Sequence, residues 1–211
     1  MPTCPLCSTR PAKRYCPAKA ESICAVCCGE KREVEIYCPA GCPYLKASRE
    51  YEAEKRIPDP ALVARSNDFT EEWLYRFTPV LDVISREVIA ERHESLWLVD
   101  NDLIEVFKAL TATMKTLSSG IYYESLPDGP IRQSLFRRLK SALDELMAPK
   151  EAVDEEALKV KDAIDVLDFL TLTAEMNSNT RPKSRQFLDW LELMIPASSM
   201  PQESRGGIII P

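Results

Sequence analysis

From residue 68 onward, apolar positions recur three and four residues apart, the spacing that lines one face of an α-helix. Phe69, Trp73, Phe77, Leu81, Ile84 and Val88 form the first stripe, opened by a capping box at Asp68-x-x-Glu71. Pro79 lies within it and should kink that helix without ending it, because the period resumes afterwards. A second helix is expected from about Leu96 to Ser118, with Leu103, Phe107, Leu110, Met114 and Leu117 as a bundle seam and Gly120 as its stop. Pro130 opens a third, whose inward face is Ile131, Leu135, Leu139, Ala142 or Leu143, and Leu146, and Pro149 closes it. A fourth, over about 152–176, turns Val153, Ala157, Val160, Ile164, Leu167 and Leu170 inward. Asn177-Ser178-Asn179 breaks the chain, and Thr180 caps a last helix with Phe187, Leu188, Leu191, Met194 and Ile195 on one face, ended by Pro196. The pattern predicts an all-α antiparallel bundle of about five helices over residues 68–195.

The first 56 residues follow another rule. Lys31 to Tyr37 alternates polar and apolar positions at Val34 and Ile36, which reads as a short strand, one arm of a small hairpin. From Pro43, helical spacing begins at Tyr44, Leu45, Ser48, Tyr51 and Lys55, until Ile57-Pro58-Asp59-Pro60 stops it. The expected organisation is therefore a head over 1–56, a linker over 57–67, the bundle over 68–195 and a disordered tail over 196–211. That tail carries an apolar Ile208-Ile209-Ile210 that would dock on a partner or on the body.

All eight cysteines of the 211 residues lie in the head. No transmembrane run and no signal peptide are read from the sequence, so a reducing, cytoplasmic setting is expected, where clustered thiols hold metal more often than each other. Cys4-x2-Cys7 and Cys24-x2-Cys27 are paired knuckles that together complete a tetrahedral four-thiolate zinc shell. Cys16, Cys28, Cys38 and Cys42 suffice for a second shell and interleave with the first set along the chain. That is the order of a zinc-stabilised cross-brace module holding two Zn²⁺. A segment of this size buries too little apolar surface to fold unaided, so metal binding would supply the folding energy.

The run CPLCSTRPAKRYCPAKAESICAVCC resembles the HIT-type zinc finger, which has cousins in the MYND-type and B-box fingers. The likeness covers Cys4-x2-Cys7, Pro11-Ala12-Lys13, Tyr15-Cys16-Pro17 and Cys24-x3-Cys28, and reaches Cys42. Lys19 stands near where that family has a further cysteine, and Cys38 where it has a histidine. The resemblance implies a non-catalytic protein-interaction module. The favoured ligand sets are Cys4, Cys7, Cys24, Cys27 and Cys16, Cys28, Cys38, Cys42. Exchange of Cys27 with Cys28, or one zinc site with spare thiols, are the alternatives.

Charge refines the functional reading. The head carries ten Lys and Arg against seven Asp and Glu, while the remainder is strongly acidic, within a net charge of −6. Eight thiolates and two Zn²⁺ would turn the head slightly negative, so broad phosphate-backbone binding is not expected. On the third body helix Arg132, Arg137, Arg138 and Lys140 form a basic face, expected to be solvated or to pair with the acidic fourth helix. With one histidine (His93, expected at the surface), no phosphate loop and no nucleophile–base pair, neither catalysis nor a small-molecule substrate is expected. Tyr122 and Tyr123 are expected to pack against the end of the bundle. The leading expectation is a non-catalytic zinc-binding adaptor with a protein partner. A first alternative is an RNA- or ribosome-associated zinc protein, using Arg10, Lys13, Arg14, Lys19 and Tyr15. A second is a thiol-based redox or metal sensor using Cys27-Cys28.

Overall fold

A computed structural model describes residues 2–149 and 157–195. The described chain is mostly helical, with a small cysteine-rich head. In the head, β1 (Arg14–Cys16) pairs antiparallel with β2 (Glu21–Ile23), Tyr15 opposite Ser22. Then come α1 (Ala25–Lys31) and α2 (Pro43–Lys55). The hairpin therefore lies earlier than expected. Lys31 is the last residue of α1, and the Glu35 and Ile36 amides close onto the Lys31 carbonyl at 3.0 Å. The expected alternation does not hold either, because Ile36 is buried while Val34, which would share its face in a strand, is exposed.

The expected linker contains α3 (Pro60–Ser66). Pro60 occupies the first turn, where its missing N–H costs nothing, and the Asp59 carboxylate accepts the Ala61 amide at 2.9 Å. The same prolines that read as a stop for α2 start the next helix. In α4 (Glu71–Glu94) the cap is Thr70, whose hydroxyl accepts the Trp73 amide at 3.2 Å, not Asp68. The helix runs through Pro79. α5 (Asp100–Ser118), α6 (Pro130–Met147), α7 (Val160–Asn177) and α8 (Gln186–Met194) complete the body.

α5 is the axis of the body, packed against α6, α7 and α8, while α4 lies on α6 and α8 and α3 on α7. Phe107, Leu110 and Met114 on α5 are sealed, as are Leu135, Phe136 and Leu139 on α6 and Val166 and Leu167 on α7. Phe69, Trp73, Phe77 and Phe169 form a connected set of ring contacts at one end, with neighbouring centroids 4.8–5.2 Å apart. α7 begins later than expected, at Val160, and the expected positions 152–156 and 196–211 lie outside the described residues. α8 also begins later, because Thr180 does not cap it. Thr180 sits at φ +60° instead, and the N-terminus of α8 is capped across the molecule. The buried Asp100 carboxylate of α5 accepts the Phe187 and Leu188 amides at 3.2 and 3.1 Å.

Two further expectations change. Among the described residues, the basic face of α6 pairs with α4, with α5 and within α6 itself, and no ion pair joins it to α7. Arg138 spans Glu87, Glu91 and Glu94, Arg132 holds Asp102 at 2.7 Å, and Lys140 holds Asp144 of its own helix. The acids of α7 face other cations: Asp162 lies 3.6 Å from Arg76, and Glu175 holds Lys108 at 2.9 Å. Tyr122 and Tyr123 are not packed away but nearly two-thirds exposed. Ile121 and Leu126 beside them are exposed too. Thr113 pins that segment to α5 by accepting the Ser125 amide, and Thr116 by donating to the Tyr123 carbonyl, so main-chain bonds win over side-chain burial. His93 is half exposed, with Nε2 3.2 Å from Glu192.

Candidate metal centre

The Sγ atoms of Cys4, Cys7, Cys24 and Cys27 all lie within 4.8 Å of one another. Two tight backbone turns bring them there. In the first, the Cys4 amide donates to the Arg10 carbonyl and the Ser8 amide to the Cys4 carbonyl, both at 2.8 Å. Ser8 at φ +53° closes that turn. In the second, Cys24 is the cap of α1, and its sulfur accepts the Cys27 amide at 3.3 Å. The β1–β2 hairpin, which spans the interval between the knuckles, folds the second onto the first.

The geometry fits a metal. Four sulfurs about 2.3 Å from a common centre stand about 3.8 Å apart at the tetrahedral angle. The Cys7 and Cys24 sulfurs are 3.9 Å apart, nearly twice the length of a disulfide bond. Cys4, Cys24 and Cys27 are buried and Cys7 is partly exposed, so the centre sits just beneath the surface. None of the eight cysteines is in a disulfide.

The electrostatics are strained without a cation. The Thr9 hydroxyl and the Thr9 and Arg10 amides pull the Cys7 thiol down to about 5. Burial, then the neighbouring Cys24, Cys7 and Cys4 sulfurs, pushes Cys27 up to about 12. Burial alone would lower the Arg10 guanidinium, but Cys24 and Cys7 beside it raise it on balance. Four thiolates this close repel, and one guanidinium at the rim does not neutralise them. A divalent cation at their centre does, because it favours the deprotonated form of every ligand. All-sulfur tetrahedral donors suit Zn²⁺ or iron.

The other four cysteines are arranged differently. Cys16 ends β1, Cys38 lies in the 32–42 loop and Cys42 precedes α2, all three buried. Burial raises the Cys38 thiol, the Glu33 amide opposes that, and the Glu33, Cys42 and Cys16 charges add to it, so these groups are near neighbours. Cys28 is partly exposed, and its sulfur accepts from the Arg32 guanidinium at 3.8 Å. Among the described residues only the Cys4, Cys7, Cys24 and Cys27 set gathers three or more such ligand atoms within 4.8 Å. Cys16, Cys28, Cys38 and Cys42 are not drawn together to that degree.

No protein-family model, curated protein or solved structure matches the chain. The site is therefore read from its own chemistry. Elsewhere in the head and body stand residues that spacing did not single out. Glu33, Arg49 and Arg185 tie the head to the body, and their partners lie up to 147 residues away in sequence. No local pattern signals such pairs. Arg10 has a local signal, a cation three residues past a knuckle.

Proposed function

We propose that the head is a zinc-organised module and that the chain acts as a non-catalytic adaptor, engaging a protein partner through the head and the helical body. The gathering of the Cys4, Cys7, Cys24 and Cys27 sulfurs within 4.8 Å of one another, with Cys7 and Cys24 at 3.9 Å, supports this reading. Bound Zn²⁺ would supply fixed positive charge and cross-linking. Four protein thiolates fill its tetrahedral shell and leave no open position for substrate, hence the non-catalytic assignment. Cys16, Cys38 and Cys42, with Cys28 as the fourth thiolate, are proposed as a second site that closes when the ion enters. The overall arrangement would then be the cross-brace of the HIT-type finger.

The protein-partner reading draws support from the exposed Ile121-Tyr122-Tyr123 segment, since rigidly held tyrosines are favoured anchors at interfaces. The RNA reading loses ground. Of its four cations, Arg14 lies over the Tyr44 ring at 4.8 Å and Arg10 serves the thiolates, which leaves Lys13 and Lys19 beside an exposed Tyr15.

Metal analysis of reductively purified protein, with a free-thiol count, tests the module. Two zinc ions and no reactive thiol support both sites. One zinc and about four reactive thiols would confine the metal to the first site, and no zinc would reject the reading. Partner class separates by salt: binding to cellular RNA that falls steeply with ionic strength would favour the RNA alternative over the adaptor.

A further inference from the structure

The segment between α7 and α8 is held by the head as well as by the body, where Ser184 bonds to Asp100 of α5. Glu33 is at the centre of the head's grip. It sits in the turn after α1 at φ +53°, with only 1 % of its surface exposed. Its carboxylate accepts from Arg49 Nη2 and from Asn179 Nδ2, both at 2.7 Å, and lies 3.8 Å from Arg181. Its backbone carbonyl accepts the Lys183 amide at 2.7 Å.

The grip continues on both sides. Lys183 Nζ donates to the Glu35 carbonyl at 2.7 Å and lies over the Tyr37 ring, which packs edge-on to Trp97. Arg185 donates to the Cys38 carbonyl at 3.0 Å. From α2, Arg49 reaches Asp189 of α8 at 2.6 Å, Glu52 holds Arg181 at 2.8 Å, and Arg56 donates to the Ser178 carbonyl. Two non-glycine residues in left-handed conformation belong to this junction: Glu33, and Thr180 next to the Asn179 that Glu33 holds. Such backbones persist only where their surroundings over-determine them.

The head residues in the grip all hang from cysteine-bearing segments. Glu33 follows α1, which carries Cys27, and the Glu33 amide contacts the Cys38 thiol. Arg49 and Glu52 ride on α2, which starts at Cys42. A buried carboxylate between guanidinium groups is stable only with its partners in place.

We propose that the 31–38 loop, with Glu33 at its centre, is a latch that fastens the 178–185 segment and α8, so that metal loading of the head sets the position of the last helix. Only the metal dependence of the latch rests on the zinc reading above.

Amide hydrogen exchange on the full chain tests it. Zinc-loaded Glu33→Gln, its metal content at the wild-type level, should exchange at least tenfold faster than wild type across 178–191, with α5 to α7 unchanged. Chelation of the wild type should accelerate the same amides together with those of the head. Rates across 178–191 within twofold of wild type in Glu33→Gln would overturn the latch. So would chelation that opens the head and leaves 178–191 protected. If Glu33→Gln does not fold, Lys183→Met removes the Glu35 and Tyr37 contacts from the surface side. It should speed exchange at 183–188 severalfold, and unchanged rates there reject the latch. A chain purified without zinc removes the metal reading, while Glu33→Gln still decides the latch.

Discussion

Asp100 shows how much one residue decides in this protein. Its carboxylate is fully buried, accepts the Ser184 hydroxyl at 2.7 Å and caps α8 through two backbone amides. Burial raises its pKa above the ordinary 3.8, and the donors around it only partly offset that. A carboxyl whose folded pKa is raised contributes most at low pH, and the contribution is lost as pH rises from the unfolded value through the folded one. Wild type should therefore lose stability relative to Asp100→Asn between pH 3 and pH 7. Urea midpoints of the two proteins at each pH give the sign, and a wild type that gains on Asp100→Asn with rising pH would contradict it. Asp100→Ala, which orphans two amides and a hydroxyl, should cost about 2–3 kcal/mol at pH 7. Residue-scale facts of this kind were partly legible. Cys4, Cys7, Cys24 and Cys27 are three residues apart within each pair, and a knuckle is a local object. Asp100 holds Ser184, 84 residues away, and Glu33 holds Asn179, 146 residues away, so the chain carries no local mark of these roles.

At the scale of elements, the apolar period found the long helices and missed where several of them begin. α8 starts at Gln186 because the cap comes from α5, whereas Thr180, a good cap by type, is turned to φ +60° within the head-to-body junction. α3 was hidden because Pro58 and Pro60 read as a stop, though proline is favoured at a helix start. Charge pairing between elements was the least legible, since a basic face says nothing about which acidic face meets it. That face yields a contrast within α6. Arg138 is the cation nearest the buried Glu91, at 3.0 Å, and its loss leaves that carboxylate without its guanidinium. Arg138→Ala should cost about 3 kcal/mol. The neighbouring Arg137 is exposed, and Arg137→Ala should stay within about 0.5 kcal/mol. Chemical denaturation of the pair measures this, and equal effects would mean that α6 is held by its apolar face alone.

At the scale of the whole molecule the question is how far the head and the body unfold together. The head has its own small core, in which Cys4, Cys16, Ile23, Cys24, Cys27, Ile36 and Leu45 are buried together, and six of its eight cysteines belong to that core. Thiols buried this way are poor substitutes for aliphatic side chains once the charges they would share with a metal go unbalanced. The body keeps a separate and much larger core on α4 to α8. On the proposed zinc reading, removing the metal should therefore melt α1, α2 and the hairpin. It should also weaken α8, whose approach is latched to the head, while α4 to α7, with most of the helical residues, keep their own packing. Cys7→Ser tests this without a chelator, because it removes one thiol of the four-cysteine cluster at its most exposed corner. The far-ultraviolet signal should fall by well under half, with the remaining helix still melting cooperatively. Zinc content should drop by one ion per chain. Collapse of the entire helical signal would mean that the body needs the head to fold, and no spectral change with zinc retained would mean that Cys7 is not a ligand.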